Sequence, residues 1–194
     1  MVSKSKREGL LLDLREISAA SLNTHRTLYR WDQEEEHRER FTCRPVSQLL
    51  QWEPFVKALS QRIEAGTLRI FVLFHATTDV PLGRVTAFDY NPRNHSAEFG
   101  YYVPPSSRNQ GLGRQMVHKF LDVMFSDRDW PLHKLYATTA SGNEPSIHLL
   151  EGLGFQLDGM MRDHYWFETE IQDQHCYSLL AREWARLSVG EKDF

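Results

Sequence analysis

Cysteine is nearly absent: Cys43 and Cys176 are the only two in 194 residues. Neither stands in a Cys-x-x-Cys pair or a Cys/His cluster, so the sequence carries no disulfide framework, and a reduced, cytoplasmic protein is expected. Nothing adjacent activates Cys43 as an acyl-carrying nucleophile. Long apolar runs are missing too, and none approaches the roughly 20 residues that cross a bilayer as a helix. The basic start, Met1 to Gly9, is followed only by Leu10, Leu11 and Leu12 before Asp13. That is too short for a signal-peptide core, and residues 1–9 are expected to be a flexible N-terminus. A basic excess is also lacking: the net charge of −3 gives no reason to expect nucleic acid as a partner. The nine histidines are scattered, with no His/Glu spacing on one helix face, so no metal site is expected. Internal repeats and low-complexity segments do not occur.

What remains is ordinary globular composition, 41% hydrophobic and 25% charged, in a chain long enough for one well-buried core. A single domain, residues 1–194, is the simplest organisation. Leu10 to Ile17 reads as a first strand, and a helix starts at Ser18 to Ala20. Asp32 to Arg40 is dense in mixed charge, as in a solvated helix face or loop, and Phe41 to Pro45 breaks the pattern. A second helix, Glu53 to Ala65, is closed by Gly66. Thr67 to Phe74 is a near-continuous apolar run suited to a central strand. Leu82 to Tyr90 and Ser96 to Val103 follow in hairpin succession across the turn signal Asn91-Pro92-Arg93-Asn94. Beyond a long helix come a strand at Leu135 to Thr139, a helix at Asn143 to Leu153 and a strand at Phe155 to Gly159. A last strand at Gln172 to Leu180 precedes a short helix around Trp184. Antiparallel strands followed by a strand–helix–strand–helix unit predict an α/β fold with a mixed sheet.

The most informative stretch is Tyr101-Tyr102-Val103-Pro104-Pro105-Ser106-Ser107-Arg108-Asn109-Gln110-Gly111-Leu112-Gly113-Arg114. A strand stops at two prolines, a glycine-bearing turn follows, and Met116, Val117, Phe120, Leu121 and Met124 recur at helical spacing. Two glycines at a helix mouth allow close approach to unpaired N–H groups that carry partial positive charge, which makes an anion site. Arg108 and Arg114 flank it with guanidiniums suited to phosphate. A plain strand-to-helix turn would look the same locally. A Walker loop is excluded because Gly-Lys-Ser/Thr is missing, and a dinucleotide fingerprint fails because Met116 stands where its third glycine belongs.

Arg-x-x-Gly-x-Gly, at Arg108, Gly111 and Gly113, resembles the acyl-CoA signature of the GNAT acetyltransferase superfamily. Downstream, Asn143-Glu144-Pro145-Ser146 with Leu149-Leu150-Glu151-Gly152-Leu153-Gly154-Phe155 is similar to a second pattern of that family. Within it, the chain is most similar to the ribosomal-protein N-terminal acetyltransferases. The resemblance implies a mostly antiparallel, twisted sheet flanked by helices. It implies acetyl-CoA as cosubstrate and a primary amine, on a protein N-terminus or a small molecule, as acceptor. It implies that the loop Arg108, Asn109, Gln110, Gly111, Leu112, Gly113, Arg114 cradles the CoA pyrophosphate. Asn143 and Ser146 would contact the pantetheine arm, and a backbone N–H at Tyr102 or Val103 would receive the oxyanion. The two helices before the central strand would wall the acceptor site. Many relatives carry a tyrosine later in the Asn143 helix to protonate the leaving thiolate; here that slot is Leu150, and Ser146 becomes the candidate acid. A homodimer is compatible with the resemblance.

Glu98 is the candidate base. It lies in the strand that enters the loop, on one face with Gly100 and Tyr102, and a carboxylate in an apolar strand costs energy unless it is used or paired. A salt bridge to a neighbouring arginine is the alternative. Arg162-Asp163-His164-Tyr165-Trp166 fits either an acceptor pocket or a loop packing its rings on the sheet. His148, two residues along a helix from Ser146, is expected at the surface or in packing. Retention of these residues favours an N-acyltransferase; the missing tyrosine leaves a non-catalytic acyl-CoA-binding module as the other reading.

Overall fold

The computed structural model describes residues 11–35 and 50–190, the last three by backbone only. Expectations for residues 1–9, for 36–40 of the charge-dense stretch, and for the break at 41–45 with Cys43 fall outside these residues. The elements run β1 (Leu12–Glu16), α1 (Leu22–Glu34), α2 (Trp52–Glu64), β2 (Leu68–His75), β3 (Pro81–Asn91) and β4 (Ser96–Tyr102). They continue with α3 (Leu112–Ser126), β5 (Lys134–Ala140), α4 (Glu144–Gly152), β6 (Gln156–Trp166), β7 (Ile171–Leu180) and α5 (Ala181–Gly190). The sheet order is β1-β2-β3-β4-β5-β7-β6. Every neighbouring pair is antiparallel except β4 and β5, which are parallel and therefore joined by a crossover, here α3.

Each face of the sheet has its own core. Phe71, Leu73, Val85, Ala87, Ala97 and Phe99 meet the α3 stripe of Met116, Val117, Phe120, Leu121 and Met124, all buried. On the opposite face Ile70, Val72 and Phe74 pack with Leu28 and Trp31 of α1, with Phe55 and Leu59 of α2 against them. The near-continuous apolar run of β2 follows from this, since its alternate residues serve both cores.

Two boundaries differ from the sequence reading. Ser18 to Ala20 forms a turn, closed by the Ser21 N–H to Ser18 carbonyl bond of 3.0 Å, and the helix begins at Leu22. The strand expected at Phe155 to Gly159 continues to Trp166 and absorbs the 162–166 cluster. It does so because β7 pairs with it past two register shifts, and the Asp163 N–H donates to the Asp173 carboxylate at 2.9 Å. As the edge strand, β6 leaves Met160, Met161 and Trp166 exposed.

His25 of α1 is fully buried, and no well-formed hydrogen bond reaches either ring nitrogen. Burial holds its pKa below the ordinary 6.5, opposed only in part by the Ser18 backbone. The unfolded chain therefore takes up a proton near pH 6.5 that the native state refuses, and stability falls as pH drops below that value. Melting temperatures measured from pH 7.5 to 5.0 should show a shallower acid decline in His25→Leu than in the wild type. Equal declines would remove His25 as the cause.

Candidate active site

The pairing of β4 with β5 ends at Glu98↔Tyr136. Beyond that point β4 stays paired to β3 as far as Tyr102, and β5 to β7 as far as Ala140, so the two strands part. The gap is walled by the glycine loop and the start of α4, forming a cleft of about 460 Å3.

Local chemistry shapes this wall. Gly111 is the N-cap of α3 at φ 73°, and a Cβ there would meet nothing within 4 Å, so glycine is required for conformation and not for space. Gly113 is different: a Cβ would lie 3.1 Å from Leu149 Cδ1, so its smallness lets α3 close on α4. Asn143 caps α4, its side chain accepting the Ser146 N–H at 3.3 Å, with Pro145 in the first turn.

Of the residues expected to hold cofactor, Tyr102, Val103, Arg108, Asn109, Gly111, Leu112, Gly113, Arg114, Asn143 and Ser146 all line the cleft. Gln110 does not; its amide donates to the Ser106 carbonyl at 3.2 Å. Arg108 donates through Nε to the Val103 carbonyl at 2.9 Å and through Nη2 to Glu35 at 2.8 Å. Glu35, the C-cap of α1, also accepts the Tyr102 hydroxyl at 2.9 Å, so Arg108 ties the glycine loop to α1. Arg114 crosses the end of α4, where a Cβ on Gly152 would fall 2.6 Å from its Nη1. His148 sits at the rim, exposed and within 3.6 Å of Glu144. Of the 162–166 cluster Tyr165 alone reaches this cleft, while Trp166 is 83% exposed.

Sequence reasoning passed over Tyr101 as a functional group. Its hydroxyl lies 2.7 Å from Ser146 Oγ, and burial pushes its pKa up to about 12 against the opposing Ser146 bond. Strand alternation held the signal: Tyr101 must face opposite to Glu98, towards α3 and α4.

The other face carries a second cleft, of about 340 Å3, lined by α1 and α2 side chains including Asp32, Phe55 and Arg62. Glu98 opens into it and accepts the Thr138 hydroxyl at 3.1 Å; Arg84 donates to Asp32 at 2.7 Å. Phe99, Gly100, Tyr101, Tyr102 and Thr138 line both clefts, so the two meet where the strands part.

Backbone direction at this junction follows from one bond. The His95 carbonyl accepts from Lys134 N–H at 3.1 Å, which turns the N–H groups of Ala97, Phe99 and Tyr101 towards β5. Tyr101 lies beyond the last pairing, so its N–H is aimed at the gap. By the same parity the Tyr102 N–H is turned to Arg84 of β3.

Among the described residues no group of three or more His, Cys, Asp or Glu could hold a metal, and no helix is long and apolar enough to cross a membrane. A family profile described as an acetyltransferase (GNAT) domain matches residues 12–156. The chain is 27% identical over 141 residues to the uncharacterized N-acetyltransferase p20 of Bacillus licheniformis, covering 73% of this chain and 78% of that one. It is 29% identical over 110 residues to the putative ribosomal N-acetyltransferase YdaF of Bacillus subtilis, covering 57% of each. Among solved structures it superposes on spermidine N-acetyltransferase from Vibrio cholerae, in complex with CoA and spermine, with a TM-score of 0.77 at 21% identity, over 90% of this chain and 98% of that one. The chain belongs to the GNAT acetyltransferase family, and it is an N-acetyltransferase with acetyl-CoA as cosubstrate.

Proposed function

We propose that the protein acetylates a primary amine by direct attack on the thioester of acetyl-CoA. The observation that carries this reading is the junction of the two clefts: an anion-binding helix start serves one, a carboxylate serves the other, and Phe99 to Tyr102 belongs to both. On this reading the start of α3, through Gly111, Leu112 and Gly113, receives the pyrophosphate, and Asn143 and Ser146 border the pantetheine arm. The N–H of Tyr101 receives the carbonyl oxygen as it gains charge. Glu98 takes the amine proton, directly or through a water, with Thr138 orienting the carboxylate. Arg108 serves by holding the loop against Glu35 rather than by reaching phosphate.

The acceptor we favour is an α-amine, as on a peptide N-terminus or an amino compound. Among the described lining residues Asp32 and Glu98 are balanced by Arg62 and Arg84, with Asp32 bonded to Arg84. A polycation would call for an excess of carboxylates. An α-amine also ionises near 7.7–8.0, against about 10.4 for lysine, so a single carboxylate suffices as base. The second reading, a polyamine acceptor, is favoured by the Vibrio cholerae relatives, which are spermidine acetyltransferases. Side-by-side turnover of spermidine and a short peptide decides between them, with the peptide expected to give the higher kcat/KM. A relative from Vibrio cholerae is dodecameric, and the exposed apolar edge β6 supports self-association here.

Glu98→Gln should lower kcat by about 10²-fold or more while CoA affinity stays within about twofold. A variant with normal turnover would remove Glu98 as the base. Gly111→Asp sets a carboxylate at the helix mouth, and calorimetric titration with CoA should show binding abolished. Normal affinity in the folded variant would overturn the pyrophosphate assignment.

A further inference from the structure

The family's thiolate-protonating tyrosine has no counterpart at Leu150, which is fully buried in the core beneath α3. No rotation of that side chain would supply a hydroxyl. One turn earlier on the same helix, however, Ser146 stands in the donor cleft, and its Oγ is 2.7 Å from the hydroxyl of Tyr101. The tyrosine arrives from β4, across the gap, and lines both clefts. Its place is fixed by packing: its ring stacks on Phe99 at 6.3 Å between centroids, and Phe99 is held by Phe120 and Phe155.

We propose that Tyr101 and Ser146 act as one unit that donates a hydrogen bond to the CoA sulphur as it departs. Two hydroxyls carry two hydrogens. Their mutual bond uses one, whichever group donates it, and leaves the other for the cleft. The thioester must lie where the clefts meet, which is the segment holding Tyr101. This inference rests on the acetyl-CoA reading above and adds to it the group that stabilises the leaving atom.

The step balances without a proton leaving either hydroxyl. As the tetrahedral intermediate collapses the C–S bond breaks, and its electron pair stays on sulphur. The sulphur anion accepts the hydrogen bond, the proton of the amine has gone to Glu98, and water protonates the thiolate on release. Burial keeps the Tyr101 phenol protonated throughout the neutral range, which suits a hydrogen-bond donor and not an acid. Ser146 alone would be a rotor; the bond to a packed tyrosine restricts the orientations of its hydroxyl.

The test needs no acceptor. Ultraviolet titration of the CoA thiol in the binary complex reports its ionisation directly. In the wild type the bound thiol should ionise at a lower pH than free CoA. Tyr101→Phe and Ser146→Ala should each weaken that ionisation about threefold to tenfold, the yield of one hydrogen bond. The double variant should be no weaker than the weaker single one, because the pair acts as a unit. Desulfo-CoA affinity should stay within about twofold in all of them, which a merely structural role for the pair would not predict. Bound CoA with the same thiol ionisation in wild type and Tyr101→Phe overturns the inference and leaves the cosubstrate reading intact. Failure of the wild type to bind CoA overturns both. Should Tyr101→Phe not fold, Ser146→Ala carries the same prediction from the rim of the cleft.

Discussion

The whole site depends on a sheet that fails to stay closed between two parallel strands. Three residue pairs join β4 to β5, and then each strand follows its outer partner, β3 on one side and β7 on the other. Antiparallel pairing is the stronger and more extended of the two kinds here, and sheet twist turns the two halves away from each other. The backbone groups bared in the gap need partners. On the proposed reading an extended ligand arm lying between the strands would restore what the sheet gives up, and the defect in the ladder would be the binding device.

A gap at one end of a sheet is tolerable only if the other end is fixed. Arg69, at the start of β2, holds Glu16 of β1 at 2.7 and 2.8 Å and Asp127 beyond α3 at 2.8 Å. Tyr90 stacks on Trp130 with centroids 4.7 Å apart, joining the end of β3 to the segment entering β5. His95 accepts from both His133 and Lys134, which fixes the register from which the strands diverge. At the open end the fastening is different in kind. Glu35 gathers Arg108 and Tyr102, so the last turn of α1, the end of β4 and the glycine loop share one carboxylate. Through it the wall of one cleft is tied to the wall of the other, and anything that displaces α1 is felt at the loop.

The parts of this arrangement legible in the sequence are those written in local chemistry. A glycine that must take a left-handed conformation, an Asn-x-x-Ser helix cap and a stripe of five apolar residues each announce themselves within a turn or two. Glu98 was conspicuous because a carboxylate in an apolar strand has to be explained. The Tyr101–Ser146 and Arg108–Glu35 contacts span 45 and 73 residues, and no local pattern encodes them. Nothing near Arg108 in the sequence revealed Glu35 as its partner. The length of β6 was hidden for another reason. An edge strand buries little, so residues such as Arg162, Asp163 and His164 break the alternation that marks a half-buried strand, while the ladder to β7 continues regardless.

Strand geometry also explains why two residues of β4, Glu98 and Tyr101, suffice to divide the labour proposed here. Positions 98 and 101 differ by an odd number, so their side chains leave the sheet on opposite faces, roughly 10 Å apart along the strand. A thioester lying across the gap thus has a carboxylate on the side from which an amine arrives and a hydroxyl pair on the side to which sulphur departs. The N–H of Tyr101 belongs to the same residue as one of those hydroxyls, yet it points in the plane of the sheet, towards the carbonyl oxygen. Proton removal, oxyanion support and leaving-group support would thereby come from the two opposite faces and the plane of one short strand. The interior of a helix could not do this, because its N–H groups are consumed by its own carbonyls. The strand can, because here its neighbour has left.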